Sequence, residues 1–259
     1  MTAPRTLIAV GLALTATSAL AGSFTDLPTT GSLRKFGAQS LSADQLYILP
    51  GPISSTDSEG FHTYAPPSYL TLLAPVRQTR VALADAPSAP PVTVGTFFDY
   101  VFRDTRDNRL VFGSRLVLTV ADAEVNDIFR SGFASFSAAA AWTFMNDFDL
   151  RMYSAARTAV GLKQGADVFD PNVVDMRSDI NQSEGNPQSG LFLIKSNAPN
   201  WAVTNGVLRV RQGGEEGQFP NQFVFAGYAP AAAVPEPSQT LMLLAGLGIV
   251  GLIIRRRTA

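Results

Sequence analysis

The 259-residue chain contains no cysteine and a single histidine, His62. Without cysteine there is no disulfide framework and no thiolate nucleophile. Zinc sites assembled from His and Cys are excluded by the same count. A Ser-His-Asp arrangement would need His62 as its base, yet no Gly-x-Ser-x-Gly elbow exists to hold the serine. His62 itself falls among Tyr64, Pro66, Pro67 and Tyr69, and reads as an ordinary loop histidine. No Walker-type or dinucleotide-binding glycine loop occurs. Charge is sparse too: 16 % of residues are charged and the formal net charge is −1. There is no basic run before the last few residues, so nucleic acid is not an expected partner.

What is present begins with two end segments of opposite purpose. Met1 to Ala21 has a positive start at Arg5, an apolar stretch from Leu7 to Leu14, and Ala19-Leu20-Ala21 as a small-x-small cleavage pattern. It reads as a secretory signal peptide, cut after Ala21 to leave Gly22 first. At the other end, Val234-Pro235-Glu236-Pro237 precedes an apolar run from Leu241 to Ile254 and then Arg255-Arg256-Arg257. Each proline fixes its own φ and pushes the preceding residue out of the α region, so the Pro-Glu-Pro strip is extended and open to an enzyme. The apolar run, about 14 residues and roughly 17 with its polar lead-in, reaches roughly 21–25 Å as a helix. A bilayer core is ~30 Å thick, so this is a short transmembrane helix. The arginines snorkel to headgroups and keep the end of the chain on the cytoplasmic side, leaving everything before Val234 outside.

This order of proline-glutamate-proline, short apolar helix and arginine cluster resembles the PEP-CTERM sorting signal, a tail also found with ice-binding proteins. The resemblance covers about a tenth of the chain. It implies a protein of a Gram-negative bacterium, parked in the inner membrane by its tail. A membrane-embedded exosortase would then cut near the motif and release it to the cell surface or medium. Within the body, Asp99 to Thr105, Asn126 to Phe133 and Asp175 to Ile180 are similar to segments of other uncharacterised PEP-CTERM proteins, which implies no particular activity.

Between the two signals lie about 210 residues, enough for one domain with one core. Removing Arg5 and the three tail arginines from the 20 Lys and Arg leaves 16, against 20 or 21 Asp and Glu depending on Glu236. The body is mildly acidic. Tyr69 to Ala74 is an apolar strand candidate, and Ala84 to Pro91 is a proline-rich connector. Val92, Val94, Thr96, Phe98, Tyr100 and Phe102 alternate with Thr93, Gly95, Phe97, Asp99, Val101 and Arg103; after a turn at Asp104 to Asn108, Leu110 to Val120 alternates again. That pattern predicts a long β-hairpin buried on both faces. Asp122 to Arg130 predicts a short helix, with Asp122 as N-cap and Ser131-Gly132 as its stop. Phe133 to Phe144 fits helix or strand, because its alanine run favours one and its aromatics the other. Asp149 to Arg157, Leu191 to Lys195, Gly206 to Arg211 and Gln222 to Tyr228 predict further strands, with turns at Ser196 to Asn200 and Gly213 to Gly217.

The expected fold is therefore all-β, an antiparallel β-sandwich of jelly-roll type with one short helix and a C-terminal transmembrane helix. The expected divisions are a signal peptide (1–21), the sandwich body (22–229), a linker (230–233) and the sorting signal (234–259).

Chemistry inside the body is harder to find. The acidic segment Asp167 to Glu184 offers Asp170, Asn172 and Asp175 as a weak candidate calcium loop, since calcium takes carboxylate and amide oxygens from one loop. The spacing is not that of an EF-hand. No other cofactor is expected. Two facing carboxylates would serve glycoside hydrolysis, though one sequence does not say which acids face each other. Trp142 and Trp201 would stack on sugars if exposed, but large aromatics in a β-rich chain usually fill its core. Arg103, Asp104, Arg106, Asp107 and Arg109 read as a solvated hairpin tip. The expected role is non-catalytic: a structural or adhesive protein of the cell surface or exopolysaccharide matrix, with exosortase, inner membrane and exopolysaccharide as partners. A polysaccharide-binding module and a matrix polysaccharide hydrolase or lyase are the alternatives.

Overall fold

The computed structural model describes residues 24–30, 34–35, 60–61, 66–146, 149–159, 168–214 and 218–232. These residues form sixteen strands and no helix. In chain order the strands are β1 (Thr25–Asp26), β2 (Arg34–Lys35), β3 (Gly60–Phe61), β4 (Leu70–Leu72), β5 (Arg77–Leu83), β6 (Val92–Asp104), β7 (Leu110–Leu118) and β8 (Glu124–Ser131). They continue with β9 (Ala139–Thr143), β10 (Asp149–Leu150), β11 (Ser154–Ala159), β12 (Val168–Asn181), β13 (Gln188–Ser189), β14 (Leu191–Ser196), β15 (Asn200–Gln212) and β16 (Asn221–Ala231).

Two sheets result. One is centred on β7, with β6 on one side, itself paired to β5 and β4, and β14, β9 and β1 on the other; β13 pairs β7 next to β14 and carries β10, and β3 joins β9. The other runs β16-β15-β8-β12-β11-β2. Pairing is antiparallel except for β3 with β9 and β10 with β13. The sheets face each other across a core that draws Phe97, Val101, Phe112, Leu116 and Trp142 from the first, and Ile128, Val174, Met176, Leu208 and Val210 from the second. The β-sandwich expectation holds.

The hairpin β6–β7 is buried on both faces, as its alternation predicts. Phe102 and Val111 turn outward and join Leu70, Ala141, Leu191 and Leu193 in a second, smaller cluster. Strict alternation would put Val94 on the face of Phe98, but Val94 is in the main core with Phe97. The cause is a register shift: Val81 pairs Gly95 while Ala82 pairs Thr93, so β6 has an extra residue there. A bulge resets the alternation behind it.

Three expectations are corrected. Asp122 to Arg130 is not a helix: Glu124–Ser131 is strand β8, central in its sheet, and Asp122 sits in a turn at φ 65°. The helix expectation failed because polar residues fall on both faces of this strand: Asp127 and Arg130 find partners on other strands, and Asn126 bonds to Glu124 and Gly213, rather than to solvent. The acidic stretch within Asp167 to Glu184 is not a loop, since Val168–Asn181 is the long strand β12. Asp149 to Arg157 does not form one strand; β10 lies in the first sheet and β11 in the second. The ambiguous Phe133 to Phe144 resolves as a turn followed by strand β9. The signal peptide, His62, the Pro-Glu-Pro motif and the expected transmembrane helix all fall outside the described residues. Among the described residues no helix is long and apolar enough to cross a membrane.

Candidate functional site

The chemistry of the body is concentrated in charged side chains buried on both faces of the strands. Arg130 projects from the inner face of β8 into the space between the sheets and is 0 % exposed. Its Nη2 donates to Asp99 Oδ1 at 2.8 Å, to Gly113 O at 2.9 Å and to Ser114 Oγ at 2.7 Å in the first sheet. Its Nη1 donates to Tyr228 O on β16. Asp99 Oδ2 accepts from the Tyr228 amide at 2.7 Å. Burial pushes the Asp99 carboxyl above its ordinary range, although the Arg130 guanidinium pulls it down. One guanidinium thus ties β6, β7, β8 and β16 together.

A second group lies on the outer face of β8. Asp127 accepts from Arg177 Nε at 2.8 Å on β12, and from Arg211 Nε at 3.0 Å and Nη2 at 2.7 Å on β15. Burial pulls Arg177 down, but the charge and hydrogen bond of Asp127, with the Asp175 charge, together outweigh it and raise the guanidinium overall. Asp175 lies on the neighbouring strand and adds to that pull. A third group sits on the outer face of the first sheet. There Arg115 Nη2 donates to Asp149 Oδ1 at 2.7 Å and to Gln188 Oε1 at 2.6 Å. Burial raises the Asp149 carboxyl against the hydrogen bonds from Arg115.

The hairpin tip is less solvated than its sequence implies. Asp104 is 0 % exposed and accepts from Lys195 Nζ at 2.7 Å and from Arg106 Nε at 3.0 Å and Nη2 at 2.7 Å. Arg106 in turn lies 3.4 Å over the Tyr69 ring. Burial alone would raise Asp104, but the hydrogen bonds from Arg106 and Lys195 hold it far below the usual carboxylate range. Arg103 folds back onto Asn108 O at 2.9 Å.

The candidate calcium residues are engaged in local work. Asp170 Oδ1 accepts the Asn172 amide at 2.8 Å, and Asn172 Oδ1 accepts from the amides of Gly132 at 3.1 Å and Ala134 at 3.3 Å. Asp175 lies further along β12, opposite Phe129 of β8. Among the described residues no group of three or more His, Cys, Asp or Glu is placed to hold a metal ion. Trp142 is buried against Phe144, with ring centroids 4.8 Å apart. Trp201 is partly buried, edge-on to Tyr228 at 5.1 Å.

Sequence reasoning missed Arg130, Asp127 and Arg211. A signal was present: Asp99 stands on the same face of β6 as Phe97 and Val101, with an apolar side chain on either side of it. A charge there is stable only beside a buried partner.

The C-terminal junction is the remaining site. Strand β16 runs to Ala231, paired with Asn200 of β15, and so takes in the first two residues of the expected linker. Residues 233–257 match the family model of the PEP-CTERM protein-sorting motif. Only Ala232 separates that match from the strand. No curated protein and no solved structure matches the chain. With this motif joined almost directly to the last strand of its sandwich, the chain is marked for exosortase-dependent sorting to the outside of a Gram-negative cell, as a PEP-CTERM protein.

Proposed function

We propose that the body is a non-catalytic structural or adhesive component of the cell surface or exopolysaccharide matrix, held briefly in the inner membrane and freed by cleavage near Pro235-Glu236-Pro237. The junction carries this reading. A motif that begins one residue past a sheet strand leaves no intervening domain, so the sandwich is what the sorting pathway delivers. Support for a non-catalytic body comes from four of the seven carboxylates buried among the described residues. Asp99, Asp104, Asp127 and Asp149 each bond to an arginine or lysine. General acid and base work needs carboxyls aimed at a substrate rather than spent on fixed cations.

The test is the intact mass of the protein from surface and culture fractions of its native host. The expected species begins near Gly22 and ends near the Pro-Glu-Pro motif. A species still carrying Leu241 to Arg257 in those fractions would overturn the sorting reading. Product released from purified exopolysaccharide by the folded protein would overturn the non-catalytic one.

A further inference from the structure

Most open sheet edges of the body are guarded. An edge strand offers a row of unpaired N–H and C=O groups, and charge, proline or extreme shortness keeps other strands off it. Strand β2 is only Arg34–Lys35, β1 is only Thr25–Asp26, and β5 carries Arg77 and Arg80. Strand β12 carries Asp170 and Pro171 where it runs past the end of β8. The far side of β16 is turned toward the start of β5, where Tyr228 Oη donates to Pro75 O at 2.7 Å.

The first half of β15 is an exception. Strand β8 pairs β15 only from Leu208 to Arg211, and at Gly132 (φ 108°) the chain leaves the sheet to bury Phe133 in the core. The register of β15 on β16 shifts between Thr204 and Leu208, with Gly206 at φ 71° inside the shift. Ahead of that bulge, Asn200 to Thr204 pair β16 alone among the described strands. Ala202 through Gly206 are exposed in succession, so both faces of the strand meet solvent, and Val203 is 49 % exposed. No ionisable residue lies between Lys195 and Arg209, and no proline interrupts Asn200 to Leu208.

The direction of the free backbone groups follows from β16. In an antiparallel pair, opposed residues alternate between exchanging both N–H···O bonds and turning both groups outward. Tyr228 opposes Val203; its N–H donates to Asp99 Oδ2 at 2.7 Å and its carbonyl accepts from Arg130. Both groups are spent away from β15, so Val203 and Tyr228 form a non-hydrogen-bonded pair. Two positions back along β15, Trp201 opposes Pro230, which has no N–H to give. The N–H and C=O of Trp201 and of Val203 therefore point away from β16, into the open edge. Backbone groups set out in this way are matched by another strand.

We propose that a second copy of this chain supplies that strand, the two β15 strands pairing antiparallel about a two-fold axis at Ala202. In this register Trp201 of each copy exchanges both backbone bonds with Val203 of the other, and Ala202 faces Ala202. Trp201 beside Val203 is an aromatic–β-branched pair, a favourable cross-strand combination. The sequence suits self-pairing because every residue from Asn200 to Thr204 is uncharged, so no like charges meet across the axis. An isologous contact closes on itself, and the product is a dimer with β16-β15-β15-β16 continuous rather than a filament. The inference rests on strand geometry and holds whether or not the sorting and structural readings do.

The chain, purified from its native host in dodecyl maltoside, is followed by sedimentation velocity as its concentration is raised. Wild type should pass from monomer to dimer. Ala202→Lys and Ala202→Glu set like charges face to face and should each weaken dimerisation about fivefold. An equimolar mixture of the two should restore it, which also shows that both variants fold. Val203→Pro removes only an outward N–H, a change an edge strand tolerates. It should weaken dimerisation about tenfold through one lost bond in each copy. Because the chain has no cysteine, Ala202→Cys places a lone thiol at the axis. A non-hydrogen-bonded pair brings the two Cα atoms to about 4.5 Å, within disulfide reach. Mild oxidation should give a covalent dimer of this variant and none of Ser88→Cys. A wild-type chain that stays monomeric at every concentration would overturn the proposal. So would a dimer that Ala202→Lys and Val203→Pro leave intact, since association would then run through the apolar tail or another face.

Discussion

Arg130 Nη2 stands 2.8 Å from Asp99 Oδ1, with both side chains sealed between the two sheets. A buried guanidinium cannot shed its charge, so its worth lies in the acceptors arranged around it. Arg130→Met strands Asp99, Ser114 and two carbonyls at once and should cost about 3–5 kcal/mol in urea unfolding. The double variant Asp99→Leu, Arg130→Met removes the orphaned carboxylate and should recover at least about 1 kcal/mol over the single variant. The pH dependence has a definite sign. Burial already raises the Asp99 carboxyl, and loss of Arg130 raises it further. A carboxyl raised on folding favours the fold at low pH and loses that contribution as pH rises through its folded value. The penalty of Arg130→Met should therefore be larger at pH 7 than at pH 4–5.

Asp104 has the opposite sign. Its folded-state pKa is depressed well below the ordinary value of 3.8 by Arg106 and Lys195. The stability it contributes is present above the unfolded value and drains away as pH falls toward the folded one. Asp104→Asn should cost about 1.5–3 kcal/mol at pH 7, the range for hydrogen bonds to charged groups. That cost should stay level down to about pH 4 and shrink below it. A pH-independent penalty in denaturant titrations would show that Asp104 acts through shape and not charge.

These two carboxylates mark the boundary of what the sequence makes legible. The β6–β7 hairpin was readable because its alternation is local, and so was the tail, whose three parts follow one another in order. Strand β8 was not. Glu124, Asn126, Asp127 and Arg130 look like one solvated side of a helix until Arg177, Arg211 and Asp99 arrive from strands 31 to 84 residues away. The inward turn of Val94 was equally hidden, because the β6 bulge depends on how β5 pairs with it. Asp170, Asn172 and Asp175 read as a ligand loop because polar spacing alone does not distinguish a loop from a strand carrying buried charges. What local pattern cannot encode is the partner.

Gly95 makes the same point for packing. It pairs Leu118 of β7, next to the point where β6 bulges against β5. An added Cβ would fall on the Val117 carbonyl oxygen and 3.0 Å from Leu118 Cα, both backbone atoms that no rotamer change can move. Gly95→Ala should thus cost about 1–3 kcal/mol, the range for overpacking. The urea midpoint should fall with the m-value unchanged, because the strands part locally and the fold persists. An unchanged midpoint would show that β6 slides freely at the bulge.

The sorting reading makes its own demand on the junction. With β16 fixed to β15 as far as Ala231, the four residues to Pro235 reach at most about 14 Å, so an exosortase must work close beside the sandwich. The proposed grip is on Pro235-Glu236-Pro237, where each proline disfavours helix at the residue before it. Replacing Pro235, Glu236 and Pro237 together by alanine frees that strip to continue as helix into the apolar run, and alanine is the strongest helix former. The variant should accumulate at full length in the membrane fraction, with the released form lost from surface and medium. Its body should stay folded, because the changes begin beyond the last strand. Protease resistance of the sandwich in isolated membranes checks that directly. Release at the normal rate from the triple-alanine chain would mean that the enzyme recognises something other than this strip.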